Sequence, residues 1–169
     1  MFDDLLNQPT IYRMLRGLVT GGLPYDTWVK KYHLNLPDAK IADIGCGPAD
    51  ILRFVDANCL PGFYLGLDIN LSYLKTAKQN ALKKNIPSSF LEIDLETLSF
   101  DKKSQANLIG IVEKYSINTV LLLGVIHHLT DESVKSLLKI LSNSATVETV
   151  ITQDITFLPN NFINNIFAS

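Results

Sequence analysis

An α/β fold built on a doubly wound parallel sheet of about five strands is what the 169-residue sequence predicts, on three observations. From about residue 40, short apolar runs alternate with segments of helical periodicity, joined by brief connections. The run Thr119–Gly124 is apolar throughout, as expected of a strand covered on both faces. Gly45 and Gly47 follow the first apolar run directly, in IADIGCGPAD, at the kind of strand end where open sheets take up ligands.

The elements follow in order. Lys40–Ile44 reads as the first strand and Ala49–Asn58 as a helix opened by Pro48, a residue tolerated in a first turn. Phe63–Leu67 is the second strand, ending at Asp68. Leu71, Leu74, Ala77 and Ala81 repeat at helical spacing, with Asn70 placed to cap them. Ser89–Ile93 is the third strand, ending at Asp94, and Leu108, Ile111, Val112 and Tyr115 mark the next helix face. Thr119–Gly124 is the fourth strand. Thr130 then caps a helix whose Val134, Leu137, Leu138 and Leu141 share a face, and Val147–Thr156 is the fifth strand. These belong to a sheet domain, residues 39–169, preceded by a helical segment, residues 1–38. In that segment Pro9–Val19 carries Ile11, Leu15 and Leu18 on one side, Gly21 and Gly22 break it, and Pro24–His33 reads as a second helix. Two readings fit the segment: a lid over the sheet's ligand edge, or a helix that covers apolar surface.

With 47% hydrophobic residues the chain can bury one substantial core. Its net charge is -2, and its 15 basic residues are scattered. That argues against a dedicated nucleic-acid surface, though not against a nucleic-acid substrate held by a few contacts. Cys46 and Cys59 show no metal-ligand spacing, so no metal site is expected and a reducing compartment is the simpler reading. The acidic start MFDDLLNQPT lacks the regions of a signal peptide, and no apolar run approaches the ~18 residues of a membrane span. A cytoplasmic protein is the expectation.

Three acidic residues fall near strand ends: Asp43, Asp68 and Asp94. Asp68, 23 positions beyond Gly45, is placed to accept both hydroxyls of a ribose. Its alternative role, capping a helix, is better served by Asn70. Asp94 is placed to reach a nucleobase edge, or else is a turn residue. Pro48 removes a backbone N–H where a pyrophosphate needs donors, and Asp50 adds negative charge in the first turn. The loop therefore suits a ligand without phosphates. An adenosine with a zwitterionic amino-acid tail, S-adenosylmethionine, fits that description. NAD stays open because glycine loops vary, but Asp50 stands where its third glycine is expected.

IADIGCGPADIL resembles the first motif of class I S-adenosylmethionine-dependent methyltransferases. YLGLDINLSYLKTAK is similar to their second-strand acidic motif, FLEIDLETL to their third, and LLLGVIHHLTDES to the fourth-strand segment of small-molecule-type members. TIYRMLRGLVTGG with PYDTWV resembles the preceding helices of one bacterial branch. The resemblance runs from about residue 9 to 156 and implies a Rossmann-like fold with S-adenosylmethionine as cofactor and S-adenosylhomocysteine as product. It further implies that Gly45, Cys46 and Gly47 flank the methionine portion, with Asp43 steadying the loop. Asp68 would hold the ribose hydroxyls, Asp94 the adenine amino group with Leu95 packing nearby, Ile69 would also contact the cofactor, and Leu123 and Gly124 would pass beneath the sulfonium side. Methyl transfer in this family is a direct displacement, for which positioning supplies much of the rate. His127 and His128, just past the fourth strand, are candidates for a base, His128 foremost, or for hydrogen bonds that orient the loop. Tyr12 and Arg16 are candidates for closing over the cofactor or touching the acceptor; a solvated helix face explains Arg16 equally well.

Two departures stand out. Ala49 occupies the position of a third glycine, and the two strands that normally follow the fifth are not apparent before Ser169. The usual proline–glycine turn before the fifth strand is replaced by SNSATVET. A shortened sheet would leave the fifth-strand edge open to self-association or to a partner. The expected function is methyl transfer to a small-molecule or lipid-linked acceptor. The alternative is a non-catalytic cofactor-binding pseudoenzyme or partner subunit, with a nicotinamide oxidoreductase a distant third.

Overall fold

In the computed structural model, which describes residues 25–154, five parallel strands form one sheet. They are β1 (Lys40–Ile44), β2 (Phe63–Asp68), β3 (Ser88–Glu92), β4 (Thr119–Leu123) and β5 (Thr149–Gln153), in the order β3-β2-β1-β4-β5. Strand order reverses between β1 and β4, which is where a doubly wound sheet opens a crevice at its carboxyl edge. The register sets Asp43 beside Gly66 on one flank and Leu121 on the other, and Leu123 beside Gln153.

Alternation along the strands divides the core in two. On one face lie Ile41, Tyr64, Leu121, Leu123 and Ile151, covered by helix α1 (Tyr25–Lys31), a 3-10 turn (Asp50–Phe54) and helix α2 (Leu71–Lys83). On the other lie Ala42, Ile44, Leu65, Leu67, Val120 and Leu122, covered by helices α3 (Lys102–Lys114) and α4 (Asp131–Asn143). Both faces of β1, β2 and β4 are buried, which explains their near-continuous apolar sequences. Each large side chain so buried contributes about 1.5–3 kcal/mol. At the amino edge Asn118 joins three strands. Its side chain accepts from Lys40 N–H (3.0 Å) and donates to Asp38 O (2.8 Å), while its carbonyl accepts from Glu148 and Thr149.

The expected caps hold: the Asn70 side chain accepts from Ser72 and Tyr73, and Thr130 from Ser133. Asp101 caps α3 in the same way, accepting from Lys103 and Ser104. The helix expected over Ala49–Asn58 is instead the single 3-10 turn Asp50–Phe54. Ala49 enters it from the left-handed region at φ 53, and Asp56 turns the chain by accepting from Asn58 at 2.8 Å. Lys84 Nζ takes the carbonyls of Arg53 and Val55, which a longer helix would use internally. Leu71 is exposed as the first residue of α2, whose buried stripe is Leu74, Ala77 and Ala81, and Leu138 is exposed because Leu137, Ile140 and Leu141 form the buried stripe of α4. The third strand starts one residue earlier than expected, and Asp94 caps the 3-10 turn Leu95–Ser99 that follows it. The second expected helix of the amino-terminal segment packs into the core through Tyr25 and Val29. The first, Pro9–Val19, lies outside the described residues, as do residues 155–156 of the expected fifth strand.

Two glycines make opposite demands. A Cβ on Gly62 would collide with the backbone carbonyl of Pro37, whereas one on Gly110, within α3, meets nothing within 4 Å. In denaturant titrations Gly62→Ala should lower unfolding free energy by about 1–3 kcal/mol. Gly110→Ala should raise it by roughly 0.5–1 kcal/mol, the helix-propensity difference. Equal midpoints for the two variants would contradict this packing.

Candidate functional site

The loop after β1 is shaped by left-handed backbone at Gly45 (φ 73), Gly47 (φ 54) and Ala49 (φ 53). Gly45 is obligatory for a second reason: a Cβ there would run into the side chain of Val125, at the start of the turn after β4. The loop therefore rests against the histidine-bearing turn. Its backbone is pinned to β2, with Gly45 N–H and Cys46 N–H both donating to Leu67 O at 2.8 and 3.0 Å. Cys46 turns inward, its thiol donating to Gly47 O at 3.4 Å, and burial followed by Asp43 and Asp68 pushes that thiol well above the usual range. Below the loop Asp43, 4% exposed, accepts the Tyr64 hydroxyl at 2.5 Å. Burial and the Asp43 charge raise the Tyr64 hydroxyl in turn, so it stays protonated and remains the donor.

Asp68, at the end of β2, ties the loop to α2. One carboxylate oxygen accepts Gly47 N–H at 2.7 Å and the other accepts Asn70 N–H at 2.8 Å. Burial raises its pKa, opposed by these N–H groups, by that of Ile69 and by the charge of His128. Ile69 beside it is 61% exposed at the crevice rim. Asp94 is exposed and accepts Glu96 N–H at 3.0 Å; Leu95 is buried in the α3/α4 face of the core, and Leu123 in the opposite face. Gly124, at φ 71, turns the chain out of β4. Glu96, which the sequence does not single out, grips the start of α4 by accepting from Thr130 N–H (2.8 Å), Thr130 Oγ1 (3.0 Å) and Ser133 Oγ (2.8 Å). These bonds hold its carboxyl below the usual range, the Thr130 N–H foremost.

The two histidines occupy the 3-10 turn Ile126–His128 after β4, their rings 3.8 Å apart. His127 Nδ1 lies 2.5 Å from Asp154 Oδ1, and His127 N–H donates to Asp154 Oδ2 at 3.1 Å. Asp154 directly follows β5 and has no signal of its own in the sequence; parallel pairing with β4 brings it here. His128 is pushed down by burial and then by His127, with Asp154 and Asp68 pulling the other way. Thus Asp68, Asp154, His127, His128 and the glycine loop converge on one edge. Asp43 lies beneath it and Asp94 one strand farther out. Tyr12 and Arg16 lie outside the described residues. Among the described residues no cluster of three or more metal-ligating side chains exists.

A histidine whose folded pKa lies below its unfolded value binds its proton first in the unfolded chain. His128 should therefore drain stability as pH falls below about 6.5. Asp68, with a raised pKa, has the opposite sign: the folded state takes its proton first as pH falls toward the carboxylate range. Urea titrations between pH 7 and 5 should show declining stability, with a shallower decline in His128→Asn. An unchanged slope would remove His128 as the source.

Residues 42–150 match the family described as Methyltransferase domain. No curated protein matches the chain in sequence. Among solved structures, a SAM dependent methyltransferase from Aquifex aeolicus aligns over 91% of this chain and 76% of its own, at 12% identity and a TM-score of 0.57. PH0226 protein from Pyrococcus horikoshii OT3 aligns over 84% and 57%, at 17% identity and TM-score 0.54, and TehB from Haemophilus influenzae over 78% and 37%, at 14% and 0.51. The chain spans 45% and 60% of the length of two further solved chains it matches. At these identities the structural likeness speaks for the fold. The family match over most of the described residues means that the chain belongs to the methyltransferase-domain family, and the structural likeness gives it the same Rossmann-like sheet.

Proposed function

We propose that this protein binds S-adenosylmethionine in the crevice between β1 and β4 and transfers its methyl group to a small-molecule or lipid-linked acceptor. The observation that carries the reading is the charge of the carboxyl edge. The connections after the strands, residues 45–49, 69–70, 93–94 and 124–130, contain no lysine or arginine, while Asp68, Asp94 and Asp154 lie along them. A pyrophosphate would find no cation there, whereas a cationic, phosphate-free ligand is favoured. The bound cofactor supplies a methyl group activated on a positively charged sulfur.

The chain's own residues bind, orient and exclude. Gly47 N–H engages one Asp68 oxygen and Asn70 N–H the other, with Ile69 N–H beside them, and the carboxylate's remaining lone-pair capacity is open to a ribose hydroxyl. Gly45 and Gly47 leave bare backbone for the amino-acid tail, supported from below by Cys46 and the Asp43–Tyr64 pair. Ile69 offers an exposed apolar side chain to the adenine, and Asp94, with Leu95 next to it, offers the base a carboxylate. Leu123 and Gly124 form the floor toward the acceptor, where the histidine turn begins. The absence of lysine and arginine from these four described connections favours acceptors without phosphate-rich backbones. Tyr12 and Arg16 remain proposed closing residues of the amino-terminal segment.

Calorimetric titration with S-adenosylhomocysteine and with NAD tests this assignment. Wild type should bind the former and not the latter. Asp68→Ala should weaken S-adenosylhomocysteine binding about 10- to 100-fold, the cost of one or two charge-assisted hydrogen bonds. NAD binding, or equal affinity in the variant, would overturn it. Binding without transfer to any acceptor would favour the non-catalytic alternative.

A further inference from the structure

We propose that Glu96 is a positioning residue that couples the cofactor side of the site to its acceptor side. It clamps the start of α4 to the turn carrying Asp94, so that seating the cofactor's adenosine orders the loop after β4. The proposal rests on the methyl-transfer reading above and deepens it.

Helix α4 begins with an incomplete local cap. Thr130 Oγ1 accepts Ser133 N–H at 3.3 Å, as an N-cap does, but the third helical position holds a serine. A glutamate or glutamine there would reach back to the N-cap N–H and close the reciprocal pair. A serine side chain is too short for that, and Ser133 is fully buried. The Thr130 N–H goes instead to Glu96 Oε1 at 2.8 Å, from a residue 34 positions away. Glu96 Oε2 takes the hydroxyls of Thr130 and Ser133 at 3.0 and 2.8 Å, so one distant carboxylate completes the cap. The charge suits the place, since a helix N-terminus favours an anion. The bonds from Thr130 and Ser133 accordingly hold the Glu96 carboxyl below its usual range.

The other end of the clamp is the turn after β3. Asp94 Oδ1 accepts Glu96 N–H at 3.0 Å, so the backbone of Glu96 is held by the carboxylate proposed for the adenine while its side chain holds α4. The turn between is braced. Thr97 Oγ1 donates to Asp94 O at 2.7 Å, Ser99 Oγ donates to Glu96 O at 2.8 Å, and Leu95 and Leu98 share a core with Leu137, Ile140 and Leu141 of α4. Thr130 lies two residues past His128, where His128 N–H bonds to Val125 O and Leu129 N–H to Ile126 O. A restraint placed on Asp94 therefore passes through one residue to the loop after β4. An adenine amino group donating to Asp94 is such a restraint. Ordering passed on in this way costs the ligand part of its binding free energy, and linkage makes the coupling reciprocal. An acceptor held by the ordered loop then favours the cofactor as much as the cofactor favours the acceptor.

The test is amide hydrogen exchange of residues 124–133 in the full chain, with and without saturating adenosine. Adenosine lacks the amino-acid tail proposed for the glycine loop, so it loads the adenine turn without that second route. In wild type it should slow exchange of the segment about 5- to 50-fold. In Glu96→Ala the slowing should vanish while adenosine binds at least as tightly, because the ordering is no longer passed on. Glu96→Gln should behave as wild type, its carbonyl accepting Thr130 N–H and its amide donating to the two hydroxyls. Asp94→Ala opens the other end of the clamp with the α4 cap intact, and should also lose the slowing. A Glu96 that merely stabilises the fold predicts weaker adenosine binding in Glu96→Ala, and that result would count against the coupling. So would slowing that survives in Glu96→Ala or Asp94→Ala, or that is lost in Glu96→Gln. A wild type that binds S-adenosylhomocysteine yet shows no slowing with adenosine would end the proposal. A wild type that does not bind S-adenosylhomocysteine would sink the methyl-transfer reading itself, and the coupling with it.

Discussion

The Asp68 carboxylate accepts one N–H from the loop after β1 and another from the entry to α2, so a single side chain sets the distance between the two connections that frame the crevice. Everything at the carboxyl edge is referred to that junction. The loop lies against Val125, Val125 begins the histidine turn, and that turn is bonded to Asp154 after β5. The arrangement needs Asp68 charged in a half-dry place, and its raised pKa is the measure of that conflict. The backbone N–H groups keep the conflict small enough to leave a usable carboxylate.

Much of this was legible in the chain. β1, β2 and β4 announce themselves as apolar runs because both their faces are covered, and Asn70 and Thr130 cap where their side-chain chemistry predicts. The glycine loop and Asp68 could be read together because both depend on local backbone and a fixed spacing. What stayed hidden depends on contacts between distant segments. Asp154 acquires its role from the register of β4 with β5, and Glu96 from the packing of its turn against α4. The segment after Ala49 has helical composition, yet Lys84, on another element, removes the carbonyls that a longer helix would need. Leu71 and Leu138 fit a helical period but lie outside the buried stripes of their helices, Leu74, Ala77 and Ala81 in α2 and Leu137, Ile140 and Leu141 in α4.

The two faces of the sheet serve the edge differently. On the α1/α2 face the polar pair Asp43–Tyr64 is sealed within apolar packing, directly below the loop. Such a pair is costly to bury and is tolerated because each group satisfies the other. On the α3/α4 face the core is apolar, and the polar work is done at its rim by Glu96, which joins the turn after β3 to the one after β4. One face holds the floor of the crevice and the other holds its wall.

Asn118 has a consequence for how the chain folds. It bonds to residues 78 and 80 positions away, and those bonds exist only after β1 and β4 have met across two intervening strands and three connections. Closing a loop of that length costs entropy that no local contact returns, about (3/2)RT ln n beyond a constant. High contact order of this kind belongs to the slower folders, whose rate is governed by topology more than by stability. The half-buried asparagine ahead of β4 is therefore a late latch. It records that the two halves of the sheet have joined, and it places the slow event of folding at the midline where the strand order reverses.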